Sequence, residues 1–234
     1  MSTKILMVLA LVAVCGMSSA FGAVIYHENF DQVIVDGVYP WAVSQGVNGP
    51  NGGVGIYEGP NWGYPIGSSF PDGALYGSYF NEYAAGGCNV IINRLSLGTY
   101  QANTTYTLSA YLAVSASAAD WKLSLTKGDL VTDGGFYPVL VSAGTDIAAK
   151  SNTDTALSST VWTLVTVTKT IGASDALIGT NIGAQLYASY NLATGGGLQQ
   201  LFADGITLDA TAIPEPVTLV VLGIGSLFLR RRVA

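Results

Sequence analysis

Residues 104–114 read TTYTLSAYLAV, and that run constrains the chain more than any other. Tyr106, Leu108, Ala110, Leu112 and Val114 point one way, while Thr105, Thr107, Ser109 and Tyr111 point the other. A side-chain period of two belongs to a strand with one covered face. The period recurs in WKLSLT, where Trp121, Leu123 and Leu125 oppose Lys122, Ser124 and Thr126. VWTLVTVTKT is β-branched nearly throughout, and QLFADGITLDA closes the patterned region. Between these runs lie turn signals, among them LGTYQANTT, TKGDLVTDGGF, AGTDIAAKSNTD, IGASD and ATGGG. With no heptads, no repeat of 20–50 residues and no convincing amphipathic helix, the pattern predicts an all-β antiparallel sandwich and argues against a β-helix.

Charge narrows the partners. Lys4 and Arg230, Arg231 and Arg232 lie in the terminal segments, so residues 21–213 keep five basic side chains against fourteen acidic ones. Phosphate binding needs clustered Lys and Arg, so nucleic acid is excluded as a partner. Only 10% of residues are charged, and 29 are glycine, as in a turn-rich extracellular β protein.

The two ends read as addresses. MSTKILMVLALVAVCGMSSAFGAV has one early lysine, an apolar run from Ile5 to Val14 and small residues at Ser18 and Ala20, the layout of a signal peptide cut after Ala20. Near the other end, Pro214 and Pro216 stop regular structure, and Val217 to Leu229 carry no charge. As a short hydrophobic helix this stretch is roughly 20 Å long, below the ~30 Å of a bilayer core, so it suits transient insertion into the inner membrane. Arg230, Arg231 and Arg232 then stop transfer on the cytoplasmic side. The expected division is a signal peptide at 1–20, a sandwich domain at 21–212 and a terminal signal at 213–234.

Pro214-Glu215-Pro216, the short glycine-containing apolar stretch and the arginine cluster together resemble the PEP-CTERM sorting signal. The resemblance implies recognition by an exosortase, a membrane protease, with Pro214, Glu215 and Pro216 as its recognition site. The protein would end at the cell surface or in the extracellular matrix.

The order of parts in the middle, an opening YHENFD, a central TTYTLSAYLAV, a Trp162-led strand and a closing LFADGITLD, resembles the galactose-binding-like and carbohydrate-binding jelly rolls. In such modules, acidic groups of the first and last strands often hold a structural Ca²⁺. The resemblance implies Glu28, Asp31 and Asp204 as its oxygen ligands. Parity puts Asp204 on one face with Phe202, Ile206 and Leu208, unless Gly205 forms a bulge; a turn-capping Asp and a rim Glu are the alternative. Residues 37–87 hold 13 glycines and ten aromatics and read as a long loop, with Trp41, Trp62 and Tyr64 as a stacking platform for sugar rings.

Catalytic patterns are sparse. His27 is the only histidine, G-x-S-x-G and P-loop motifs are missing, and no carboxylate pair stands out. Cys88 alone remains after signal removal and reads as a core thiol. The sequence therefore predicts an exported, exosortase-processed protein without catalytic activity and requiring no cofactor. The alternative is a module that binds extracellular polysaccharide.

Overall fold

The alternation of residues 104–114 becomes a strand with one face sealed. Tyr106, Leu108, Ala110 and Leu112 are buried, while Thr105, Thr107, Ser109 and Tyr111 stay partly exposed. The computed structural model describes residues 22–28, 42–44, 52–58, 71–72, 75–81, 88–91, 97–114, 120–128, 131–132, 140–142, 144–189 and 199–214. Its strands are β1 (Ala23–Glu28), β2 (Ala42–Ser44), β3 (Gly52–Glu58), β4 (Leu75–Asn81), β5 (Cys88–Ile91), β6 (Thr104–Val114) and β7 (Asp120–Lys127). They continue as β8 (Val131–Thr132), β9 (Leu140–Ser142), β10 (Thr145–Ser151), β11 (Thr163–Ile171), β12 (Ile182–Ser189) and β13 (Gln199–Ala212). No helix occurs among the described residues.

One sheet runs β11-β6-β13-β4-β3, with β1 also on β13; the second runs β10-β7-β12-β5-β2, and β8 pairs with β9. Neighbours pair antiparallel, so the fold is the expected antiparallel β-sandwich of jelly-roll type. The core lies between the sheets. Leu108, Leu112, Val165, Val167, Ile206 and Leu208 come from the first sheet, and Trp121, Leu123, Leu125, Ala184 and Leu186 from the second. Full burial of one such leucine is worth about 1.5–3 kcal/mol.

Tyr100 closes one end of this core. Its ring meets Tyr106 edge to face, with centroids 4.9 Å apart, and its hydroxyl donates to the Thr126 carbonyl at 2.9 Å, tying β6 to β7. Burial, and then the neighbouring Tyr106, push the Tyr100 hydroxyl well above the usual tyrosine range.

Two expectations are corrected. The stretch AGTDIAAKSNTD was expected to be a turn, yet Thr145–Ser151 form β10, because the open edge of β7 accepts a strand of modest propensity there. The turn is confined to residues 152–154, where the Asp154 carboxylate accepts the Ser151 N–H at 2.9 Å. Residues 37–87 were expected to be loop, yet they contain β2, β3 and β4; β4 earns its place by ladder bonding to β13. Asp31, Trp41, Trp62, Tyr64, Glu215, Pro216, Arg230, Arg231 and Arg232 lie outside the described residues, as does the side chain of Glu28. Pro214 is described and is exposed.

Candidate functional site at the bulge of the last strand

β13 changes partner along one edge. Residues Gln199 to Ala203 pair with β4, and Ile206 to Ala210 pair with β1. Between these two ladders sit Asp204 and Gly205. On the other edge the pairing slips at the same point: Asp204 faces Tyr111 and Thr207 faces Ser109, so three steps on β13 match two on β6. The extra residue is a bulge, and Gly205 supplies the φ of +54° that only glycine adopts without cost.

The bulge overturns the parity reading of Asp204. Ile206 and Leu208 join the core, whereas Asp204 is opposite Tyr111 on the other face of the sheet, together with Phe202. Asp204 is nonetheless fully buried. Its Oδ2 accepts the backbone N–H of Asp72 at 2.8 Å and its Oδ1 accepts the N–H of Gly205 at 2.8 Å. A buried carboxylate is tolerable only when donors satisfy it in this way.

Gly205 also leaves room for Asp72. A Cβ at residue 205 would lie 3.1 Å from the Asp72 Cβ and 3.3 Å from the Tyr111 ring. Asp72, held by its backbone, turns its own carboxylate to His27: Oδ2 is 2.8 Å from Nε2. The other ring nitrogen, Nδ1, is 3.0 Å from the Thr207 hydroxyl, and His27 and Thr207 are register partners on β1 and β13. Both members of the His27–Asp72 pair are half-exposed, so the ring can exchange protons with solvent or a bound molecule.

The pattern dictates the tautomer. An ionised Asp72 can only accept, so Nε2 of neutral His27 carries the proton and Nδ1 offers its lone pair. Thr207 then donates. The arrangement can take a proton at Nδ1 and stabilise the resulting imidazolium through Asp72.

Of the site residues picked from sequence, the structure places Asp204 in this cluster; His27 was noted only as the lone histidine, as a mark against catalysis. Asp72 and Thr207 were missed, because nothing local marks them; the Gly205 bulge was the one available signal. For the Ca²⁺ reading, both Asp204 oxygens are engaged by N–H donors, and no group of three His, Cys, Asp or Glu side chains able to hold a metal ion occurs among the described residues.

The model of a family described as HpiC1-like, HpiC1 cyclase, matches residues 19–209. No match is found among the curated proteins. Among solved structures, an apo cyclase from Fischerella sp. is 17% identical with a TM-score of 0.59, covering 84% of this chain and 100% of that one. A Stig cyclase from Fischerella sp. TAU in complex with (3Z)-3-(1-methyl-2-pyrrolidinylidene)-3H-indole is 17% identical with a TM-score of 0.54, covering 78% and 90%. A cyclase from the same source, in complex with 4-(1H-indol-3-yl)butan-2-one, is likewise 17% identical at a TM-score of 0.54, covering 82% and 91%. At that identity the likeness is one of fold.

The expectation of a protein without catalytic activity is corrected by the family match. That expectation rested on missing nucleophile motifs and a single histidine, but closing a ring within one molecule requires binding and proton transfer, for which one placed acid–base pair suffices. The match spans most of the sandwich, and the chain belongs to the HpiC1-like cyclase family.

Proposed function

We propose that this protein is a cyclase-type enzyme that rearranges a small organic substrate by proton transfer at the His27–Asp72 pair. The observation that carries the reading is the pair itself: the chain's one imidazole, half-exposed, with Nε2 held by the Asp72 carboxylate and Nδ1 meeting only a neutral hydroxyl, on the outer face of a sheet in a cyclase-family fold. Ring closure consumes no second reactant, so a group that gives a proton to one atom and takes one from another completes the cycle. General acid–base catalysis of this kind contributes about 10²–10⁴-fold in rate. Asp204 acts through Asp72, as a positioning residue.

The test is a titration of the purified protein with 4-(1H-indol-3-yl)butan-2-one, the compound held by a related cyclase, following the His27 ring resonances by NMR. A saturable shift supports the reading. No shift at millimolar probe contradicts binding of an indole ketone next to His27. A polysaccharide-binding role would rest on Trp41, Trp62 and Tyr64, outside the described residues; the family match is what favours the acid–base reading.

We also infer that the enzyme is exported and released by an exosortase, from the sequence of Pro214-Glu215-Pro216 and of Arg230, Arg231 and Arg232. Intact mass of the protein from its host, with and without exosortase, tests this; the reading predicts loss of the C-terminal segment only when the protease is present.

A further inference from the structure

We propose that Thr207, His27 and Asp72 form a hydroxyl–imidazole–carboxylate relay with a second activity, transfer of an acyl group from a small activated ester to the Thr207 oxygen. The inference shares the His27–Asp72 pair with the cyclase reading but adds a covalent step of its own.

Three observations carry it. The geometry is that of an activated nucleophile: hydroxyl to imidazole 3.0 Å, imidazole to carboxylate 2.8 Å. The tautomer is the productive one, since Asp72 holds the proton on Nε2 and leaves Nδ1 to take the hydroxyl proton. Each arm is also held in place: His27 and Thr207 face each other in a strand ladder, and Asp72 is clamped by its N–H to Asp204. Their partial exposure admits a substrate.

The surrounding surface supplies internal controls. On the same face β11, β6 and β13 carry Thr166, Thr168, Thr170, Thr105, Thr107, Ser109 and Thr211. Thr105 and Thr170 bond each other at 3.1 Å, whereas Thr207 is the one paired with the imidazole. The hydroxyls differ in partner and not in kind, so selective reaction at Thr207 would be caused by His27.

In the step, the Thr207 oxygen attacks the ester carbonyl as its proton passes to Nδ1 of His27. The carbon–oxygen bond to the leaving group breaks, and the departing alkoxide takes that proton from Nδ1 to leave as the alcohol. Water, deprotonated by the same nitrogen, then attacks the threonyl ester, releasing the carboxylic acid and restoring the hydroxyl. No oxidant or metal is consumed.

The experiment incubates the full-length protein with p-nitrophenyl acetate, follows p-nitrophenolate release and maps acetyl groups by tandem mass spectrometry. Acetylation at Thr207, about 10²-fold or more faster than at Thr168 or Thr107, is expected. His27→Gln should abolish this preference, Thr207→Val should remove the adduct, and Thr168→Val should change nothing. Acetyl confined to lysines or to His27, or Thr207 acetylation that persists in His27→Gln, overturns the proposal. The acylation readout uses no indole ketone and the indole-ketone shift at His27 uses no ester, so each is measured on the unaltered protein and failure of one reading is told apart from failure of the other. Near-ultraviolet circular dichroism of each variant confirms that it is folded.

Discussion

β6 and β13 lie side by side, yet one is scaffold and the other carries chemistry. β6 keeps its alternation from Thr104 to Leu112, and its inward residues Leu108 and Leu112 do nothing but pack. β13 pairs residue for residue with β6 from Leu201 to Asp204, covered on both faces, and then inserts one extra residue as a bulge. That single extra residue opens a notch between β4 and β1, admits Asp72 and brings its carboxylate to His27. Regular pairing makes a stable sheet with an inert surface; a break in pairing makes a place where unlike groups converge.

Substitutions on the two strands should separate these roles. The largest effect belongs to β6. Leu108 is fully buried between Val167 and Leu208 in the ladder, so Leu108→Ala should cost about 2–5 kcal/mol in urea unfolding while leaving the His27 ring signals of the folded protein unchanged.

On β13 the effects should be smaller in stability and larger at the site. Asp204→Ala strips the acceptor from the Asp72 and Gly205 N–H groups, for about 1–3 kcal/mol, and should release Asp72 from His27. Gly205→Ala imposes a side chain at φ +54° and a 3.1 Å approach to Asp72, again about 1–3 kcal/mol, with the same loss of the His27–Asp72 contact by NMR. Altered stability with intact His27 signals in both variants would mean that the bulge serves the sheet alone.

Two further tests sharpen the contrast. Burial raises the Tyr100 hydroxyl, so the unfolded chain loses this proton before the folded one does. Stability should therefore fall as pH rises above about 10, the ordinary tyrosine value, and Tyr100→Phe should flatten that decline. The least effect is expected on the exposed hydroxyl face: Thr168→Val should stay within about 0.5 kcal/mol of the wild type.

Much of the sandwich was legible because alternation and burial are the same fact seen twice. Tyr106, Leu108, Trp121, Leu123 and Leu125 all face the core as their spacing predicts. Ser124 and Thr126 were expected on an open face and are instead fully buried, since period two tells the two faces apart but not whether the second is covered. A Cβ on Gly183 would overlap the hydroxyl of Thr126, its ladder partner, so glycine there leaves the Thr126 side chain its space. The site was harder to read. His27 and Asp204 drew notice as a lone imidazole and a carboxylate in an apolar run, but Asp72 is 132 residues from its partner Asp204, a separation that only the finished sheet closes. Family membership lay beyond single motifs as well, for a cyclase needs no nucleophile signature.

The central claim is that the notch at Gly205 makes Asp72 fix the proton of His27. The most direct measurement is a ¹⁵N–¹H correlation of the His27 ring in the intact protein and in Asp72→Asn. For the neutral ring the account predicts the Nε2–H tautomer, with that preference lost in the variant. A ring protonated on Nδ1, or one indifferent to Asp72→Asn, would contradict it.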